Sequence, residues 1–190
     1  AYGVNNELSI TINDNLTLRS LTAYRTDNNL YVTDGDATEL TIACCGLNYY
    51  NEHQFSEELN LEHKYGRLSG VVGRYYYDEY LRQRSDTVNP ASVARAVGAR
   101  TFQDSLFPTT SYAIFAQETF HITDALSILV GGRYTRERKG FNQFIQQEIY
   151  NPGFANHHQL SGFGNFQVVT HQWLDAVTPK FGVTWQAADN

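Results

Sequence analysis

No stretch of this 190-residue chain approaches the roughly 20 consecutive apolar residues a membrane-spanning helix needs. The nearest, Ile128-Leu129-Val130, stops at Gly131-Gly132. A helical membrane protein is thereby excluded. Long basic runs are missing too: acids outnumber bases 20 to 14, and Arg136-Glu137-Arg138-Lys139 is broken by an acid. That pattern is a solvated strand end rather than a nucleic-acid surface, so no nucleic-acid partner is expected. Cysteine is confined to the adjacent pair Cys44 and Cys45. Their Cα atoms are only ~3.8 Å apart, too close for ordinary disulfide geometry. Two free thiols or a strained vicinal bridge in a loop both remain open, and the redox compartment with them. The first residues, Ala1 to Asn6, have neither the basic start nor the apolar segment of a signal peptide, so the chain is expected to be a piece of a longer protein.

What is present is a repeated asymmetry. Short turns are expected at Asn13-Asp14-Asn15, Lys64-Tyr65-Gly66-Arg67, Thr123-Asp124-Ala125 and Ala188-Asp189-Asn190. At the opposite strand ends lie long polar connections, about residues 27–52, 81–110 and 140–171. Tight turns at one end and long loops at the other are what an outer-membrane β-barrel needs. Hydrophobic residues make up 42% of the chain and mean hydropathy is −0.43. A barrel wall tolerates that polarity, because alternate residues face lipid and lumen. The 13 Tyr and 11 Phe suit aromatic girdles at the membrane boundaries, although a soluble β-domain is also rich in aromatics.

Period-2 alternation marks the strands. Glu7–Ile12 sets Leu8, Ile10 and Ile12 against Glu7, Ser9 and Thr11. Leu16 to about Arg25 follows, with an extension to Val32 left open, then Gln54–His63, with Leu59 and Leu61 opposite Glu58, Asn60 and Glu62. Leu68–Leu81 ends in the aromatic run Tyr75 to Tyr80, and Ser111–Ile122 and Leu126–Lys139 form the clearest hairpin. In the last strand, Val177–Gln186, Val177, Phe181, Val183 and Trp185 share one face, with Thr178, Lys180, Gly182 and Thr184 on the other. A buried Arg133 or Lys180 would need a partner in a soluble core; a watery lumen removes that need. Pro179 requires a bulge, an edge or a strand start. A short extended piece is expected at Glu39–Ala43, and a two-turn helix from Asn89-Pro90 to Gly98 as a loop decoration. The fold class is all-β: an antiparallel meander of about seven long strands, a partial transmembrane barrel. An odd number of strands cannot close an even-stranded barrel, and open edges are untenable in lipid.

These segments resemble the barrel of TonB-dependent outer-membrane receptors. The matching stretches are Leu16-Thr17-Leu18-Arg19-Ser20-Leu21-Thr22-Ala23-Tyr24-Arg25, Phe55-Ser56-Glu57-Glu58-Leu59-Asn60-Leu61 and Gly73-Arg74-Tyr75-Tyr76-Tyr77-Asp78-Glu79. Three more follow: Tyr112-Ala113-Ile114-Phe115-Ala116-Gln117, Leu126-Ser127 with Gly131-Gly132-Arg133-Tyr134-Thr135-Arg136-Glu137, and Thr178-Pro179-Lys180-Phe181-Gly182-Val183-Thr184-Trp185. The resemblance implies a 22-stranded barrel with an N-terminal plug in the outer membrane of a Gram-negative bacterium. It also implies energised uptake of a scarce ligand, most often a ferric siderophore. On that reading residues 1–190 are a section of barrel, with the plug, the TonB box and the closing strand lying outside them. The TonB complex is then a partner only through the plug. Competing readings are a small structural or adhesive outer-membrane protein and a soluble sandwich or lipocalin-like binder.

Catalysis finds no support. Glu57 and Glu58 point to opposite faces of a strand, and neither a nucleophile elbow nor a phosphate loop is present. His157-His158, His53, His63, His121 and His171 show no metal-ligand spacing, and a siderophore brings its own ligands to iron. No cofactor is expected. Candidates for contact with a large anionic chelate are Tyr49, Tyr50, Phe102, Phe107, Phe144, Tyr150 and Phe154 on the long loops, with Arg133 and Lys180 in the lumen.

Overall fold

The computed structural model describes residues 1–33, 46–89, 98–150 and 159–187. They form one seven-stranded antiparallel sheet in chain order: β1 Tyr2–Asn13, β2 Leu16–Thr33, β3 Gly46–Tyr65, β4 Leu68–Asn89, β5 Gly98–His121, β6 Leu126–Tyr150 and β7 Gln159–Trp185. Each strand pairs only with its chain neighbours, and among the described residues β1 and β7 each keep one unpaired edge. All seven expected strands are present, and every one is longer than its alternation pattern suggested.

The elongation corrects the expected loops. Strand pairing continues to Thr33↔Gly46 between β2 and β3, and to Asn89↔Ala99 between β4 and β5. Between β5 and β6 it reaches Gly98↔Tyr150. Most of the polar residues assigned to connections are therefore paired backbone. Polar side chains on both faces hide a strand from a pattern search, because no face is apolar enough to show period 2. The predicted extended piece at Glu39–Ala43, Cys44 and Cys45, His157-His158 and the turn at Ala188-Asp189-Asn190 lie outside the described residues. So does most of the predicted helix; its two ends, Asn89 and Gly98, belong to β4 and β5.

The tight turns share one end of the sheet and are tied to one another. Asn13 Oδ1 accepts from the Asn15 amide at 2.9 Å, and the Lys64 amide donates to the Asn15 carbonyl at 2.9 Å. Gly66 has φ 59°, the left-handed conformation that favours glycine. Arg67 Nη1 donates to the Ile122 carbonyl at 2.9 Å. Thr123 Oγ1 accepts from the amides of Ala125 and Leu126 at 3.2 and 3.0 Å. The Gln186 amide, just past β7, donates to the Ala125 carbonyl at 2.8 Å, so the end of β7 lies at this same end.

The two faces differ in crowding. Along Ser111 to Glu137 the odd residues of β5 and β6, His121 at the turn apart, are buried or half-buried, while the even ones are mostly exposed. Side chains on the inner side of a curved sheet converge and those on the outer side splay, so the odd face is concave. It carries Ser105, Ser111 and Ala113, all buried, and Ser105 is 0% exposed. Following the register, Arg133 shares this face with Phe115, Gly73, Asn60 and Arg19. Lys180, opposite Gly131, joins it from β7. Pro179 sits opposite Gly132 on β7, the outermost strand of the described sheet.

The convex face is largely apolar where it nears the turn end, interrupted by His63 and Glu118, which pair at 3.0 Å across Gly70. Val177 and Phe181 are 76% and 74% exposed, and Leu8, Val72, Ile114 and Val130 are exposed beside them. Aromatics bound this belt. Tyr65, Phe120 and Trp185 stand at the turn end; Tyr24, Phe55, Tyr76, Tyr112 and Tyr134 stand at the other. Neighbouring rings in the second row touch, with centroids 6.1 Å apart for Phe55–Tyr76 and 5.2 Å for Tyr76–Tyr112. Leu68 to Tyr76 on β4 is about 27 Å of strand, or ~20 Å of height once tilted, close to the ~25 Å apolar band of a membrane barrel. Beyond the upper aromatics β4, β5 and β6 run on for more than ten residues, and outer side chains of β4 and β5 become charged.

Candidate ligand face of the sheet

The concave face is a polar floor crossed by ion pairs and hydrogen bonds. Arg19 on β2 bridges Glu7 on β1 and Glu62 on β3, each at 3.4 Å. Asn60 Nδ2 donates to Glu58 at 2.7 Å, and Gln54 joins Glu79 at 3.1 Å. Acids therefore dominate the β3–β4 side. On β6 and β7 the floor turns basic, with Arg133 and Lys180.

Glycines let side chains on this floor reach across a whole strand. Lys180 on β7 passes over Gly131 of β6 to donate to Gln117 on β5 at 2.6 Å. Phe115 lies over Gly73, where an added Cβ would collide with its ring and with the Asn60 amide. That ring and Tyr75 hold Arg133: its guanidinium carbon is 5.7 Å from the Phe115 centroid and 5.2 Å from that of Tyr75. Arg133 Nε donates to Thr135 at 3.1 Å. Among the described residues no carboxylate lies within 4 Å of the Arg133 guanidinium or the Lys180 amine. The arrangement presents two fixed cations and two aromatic rings toward the hollow of the sheet, a chemistry suited to a large anionic or aromatic ligand.

The predicted contact residues fall into different places. Arg133 and Lys180 stand on the concave face, within one strand of each other. Tyr50 and Phe107 also face inward, but far toward the loop end. The Tyr50 ring stacks on Tyr31 at 5.6 Å, with hydroxyls 3.1 Å apart, and Phe107 packs on Phe141 at 5.3 Å. Tyr49, Phe102 and Phe144 face outward, Phe102 and Phe144 meeting at 6.5 Å. All five of these aromatics belong to strands rather than loops, a correction to the expectation that places them on loops. Tyr150 ends β6, and Phe154 lies outside the described residues. The sequence reading missed Tyr75 and Phe115 as holders of Arg133. Their shared face with it follows from period 2 once the register of β4 to β6 is known, and no single strand reveals that.

Above the outer aromatics on the convex side, Arg82 clamps Asp104 with two hydrogen bonds of 2.9 and 2.6 Å, and Arg84 adds a third at 3.3 Å. The Arg82 guanidinium holds the Asp104 carboxyl below the usual carboxylate range. Arg100 pairs with Asp86 further out.

The family described as "TonB dependent receptor-like, beta-barrel" matches this chain over residues 1–190. No curated protein matches it, and no solved structure does.

Proposed function

Since the chain belongs to the TonB-dependent receptor-like β-barrel family, whose members are outer-membrane receptors and transporters of Gram-negative bacteria rather than enzymes, we propose that it is a section of the wall of an energised importer of a ferric siderophore. In this reading residues 1–190 belong to a larger closed barrel, because open sheet edges are untenable in lipid. The plug that contacts the TonB complex is encoded elsewhere in the same protein. The tight-turn end is periplasmic, and the long paired strands beyond the upper aromatics stand outside the cell.

The arrangement that carries the ligand assignment is Arg133, held by Tyr75 and Phe115 beside Lys180 on the concave face. A ferric siderophore is a bulky chelate, commonly anionic and often aromatic, and needs cations and ring faces rather than metal ligands from its receptor. The test is growth and uptake. A strain lacking the full-length receptor is expected to lose uptake of one iron-loaded chelate under iron limitation, with recovery on complementation. Replacing Arg133 and Lys180 together by Gln is expected to lower uptake of that chelate while leaving receptor abundance unchanged. Undiminished use of every iron chelate offered to the deletion strain would overturn the siderophore assignment.

A further inference from the structure

The convex face holds a feature that a purely lipid-facing belt does not require: arginines at the level of the aromatics. Arg74 on β4 points outward one step below Tyr76, and Arg136 on β6 points outward one step above Tyr134. Between them stand only Tyr112 and Ile114 of β5, opposite Arg136 and Tyr134 respectively. Both arginines line one hollow of about 690 Å³, together with Phe55, Tyr76 and Tyr134. Immediately below, a groove of about 770 Å³ runs over the small residues Ala116 and Gly132 between Leu59, Val72 and Val177. Arg74 also borders that groove, so the apolar channel leads directly to a cation.

The acids facing this spot are engaged. Glu57 on β3 takes hydrogen bonds from Ser20, at 2.7 Å, and from Thr22. Asp175 on β7 accepts from the Tyr134 hydroxyl at 2.5 Å and lies 3.9 Å from Arg136. Among the described residues no carboxylate comes within 4 Å of Arg74. A cation facing outward at the edge of hydrocarbon is costly unless it meets an anion or reaches the interface. Arg136, and Arg138 beyond it, lie over the Trp173 ring at 4.7 and 6.0 Å, which keeps their charges on the same outer surface.

We propose that this face binds a phosphorylated lipid of the outer leaflet. One acyl chain lies in the groove over Ala116 and Gly132, and the phosphate sits at the height of Tyr76 and Tyr112, between Arg74 and Arg136. The groove supplies apolar contact, and the two guanidiniums supply charge-assisted hydrogen bonds to the phosphate oxygens. The proposal rests on the outer-membrane reading.

The full-length receptor, extracted from outer membranes and freed of lipid in neutral detergent, is titrated with phosphatidic acid and its bound lipid counted by native mass spectrometry. Parallel arms use diacylglycerol of the same chains and inorganic phosphate. Phosphatidic acid is expected to bind well ahead of both. R74Q/R136Q is expected to bind it about thirtyfold more weakly, as the loss of two surface cations implies. R74K/R136K should keep most of the affinity, and R84Q, whose arginine is committed to Asp104, all of it. Equal binding by wild type and R74Q/R136Q overturns the proposal, as does equal binding of diacylglycerol. Competition by inorganic phosphate at the same concentration reduces the site to an ion site and overturns it too. Should the receptor fractionate away from the outer membrane and stay soluble without detergent, the membrane reading fails first and this one falls with it. A receptor that fractionates correctly but shows no arginine dependence defeats only the lipid site.

Discussion

Phe115 reaches over Gly73, the residue directly opposite it on β4, and in that position its ring faces the Arg133 guanidinium. Gly73→Ala is expected to destabilise the receptor by roughly 1–3 kcal/mol, the usual range for overfilling a tight contact. Phe115→Ala in the same chain should restore part of the loss, because the two substitutions share one contact. The unfolding midpoint in detergent of the four members of this cycle measures the coupling. Strict additivity would mean that ring and glycine act independently.

Facing is testable by labelling. A cysteine at position 130 or 183 of the full-length receptor is expected to react with a lipid-phase probe. A cysteine at 133 or 180 should react only with a water-soluble reagent that enters the lumen. A one-residue slip exchanges every side chain between faces, so the reverse pattern would place the whole sheet in the wrong register.

The same logic fixes the cost of charge. Ile114→Lys puts an ammonium on the outer face, within the apolar belt, where such a charge costs ~2–4 kcal/mol near mid-membrane and less toward the interface. Thr119→Lys, on the concave face in a polar hollow shared with Glu58 and Glu62, should cost little. The fraction of receptor that assembles into the outer membrane, read by heat-modifiable migration on gels, should fall for the first variant and hold for the second.

Asp104 gives a pH dependence of known sign. Its carboxyl is held below the ordinary carboxylate value, first by the Arg82 hydrogen bond and then by the charges of Arg82 and Arg84. A group depressed on folding contributes stability that is complete above its unfolded pKa, about 3.9, and is lost as pH falls through the folded value. Asp104→Asn should therefore lower the melting temperature at pH 7. The gap to wild type should close as the pH drops below about 4. A gap that widens in acid would contradict the assigned direction.

Much of this wall was legible because lipid demands a simple pattern. Leu59 and Leu61 against Glu58, Asn60 and Glu62, or Val130 and Tyr134 against Arg133 and Thr135, state the facing of β3 and β6 without coordinates. Legibility stops where lipid stops. Past the upper aromatics both faces meet water, as at Arg82 and Gln83 on β4 or Asp104 and Gln103 on β5. Alternation vanishes there while backbone pairing continues, and residues such as Tyr50 and Phe107 were accordingly expected on loops. Cross-strand features were equally hidden. Nothing in the sequence around Lys180 signals a partner at Gln117, because the gap at Gly131 has meaning only once three strands are aligned.

The upper row of outward aromatics does not follow the hydrogen-bonded rows of the sheet. Tyr24 and Phe55 are direct partners; Tyr76 and Tyr112, also partners, lie two residues nearer the turn end, and Tyr134 two nearer again. From β2 to β6 the boundary thus slips by about one residue per strand. With a rise of ~3.4 Å per residue and strands ~4.8 Å apart, that slip corresponds to an inclination of about 35°, at the lower end of the ~35–45° found in membrane barrels. The tyrosines trace the water line obliquely across the weave, and from that slant the lean of the whole cylinder can be read in a fraction of its circumference.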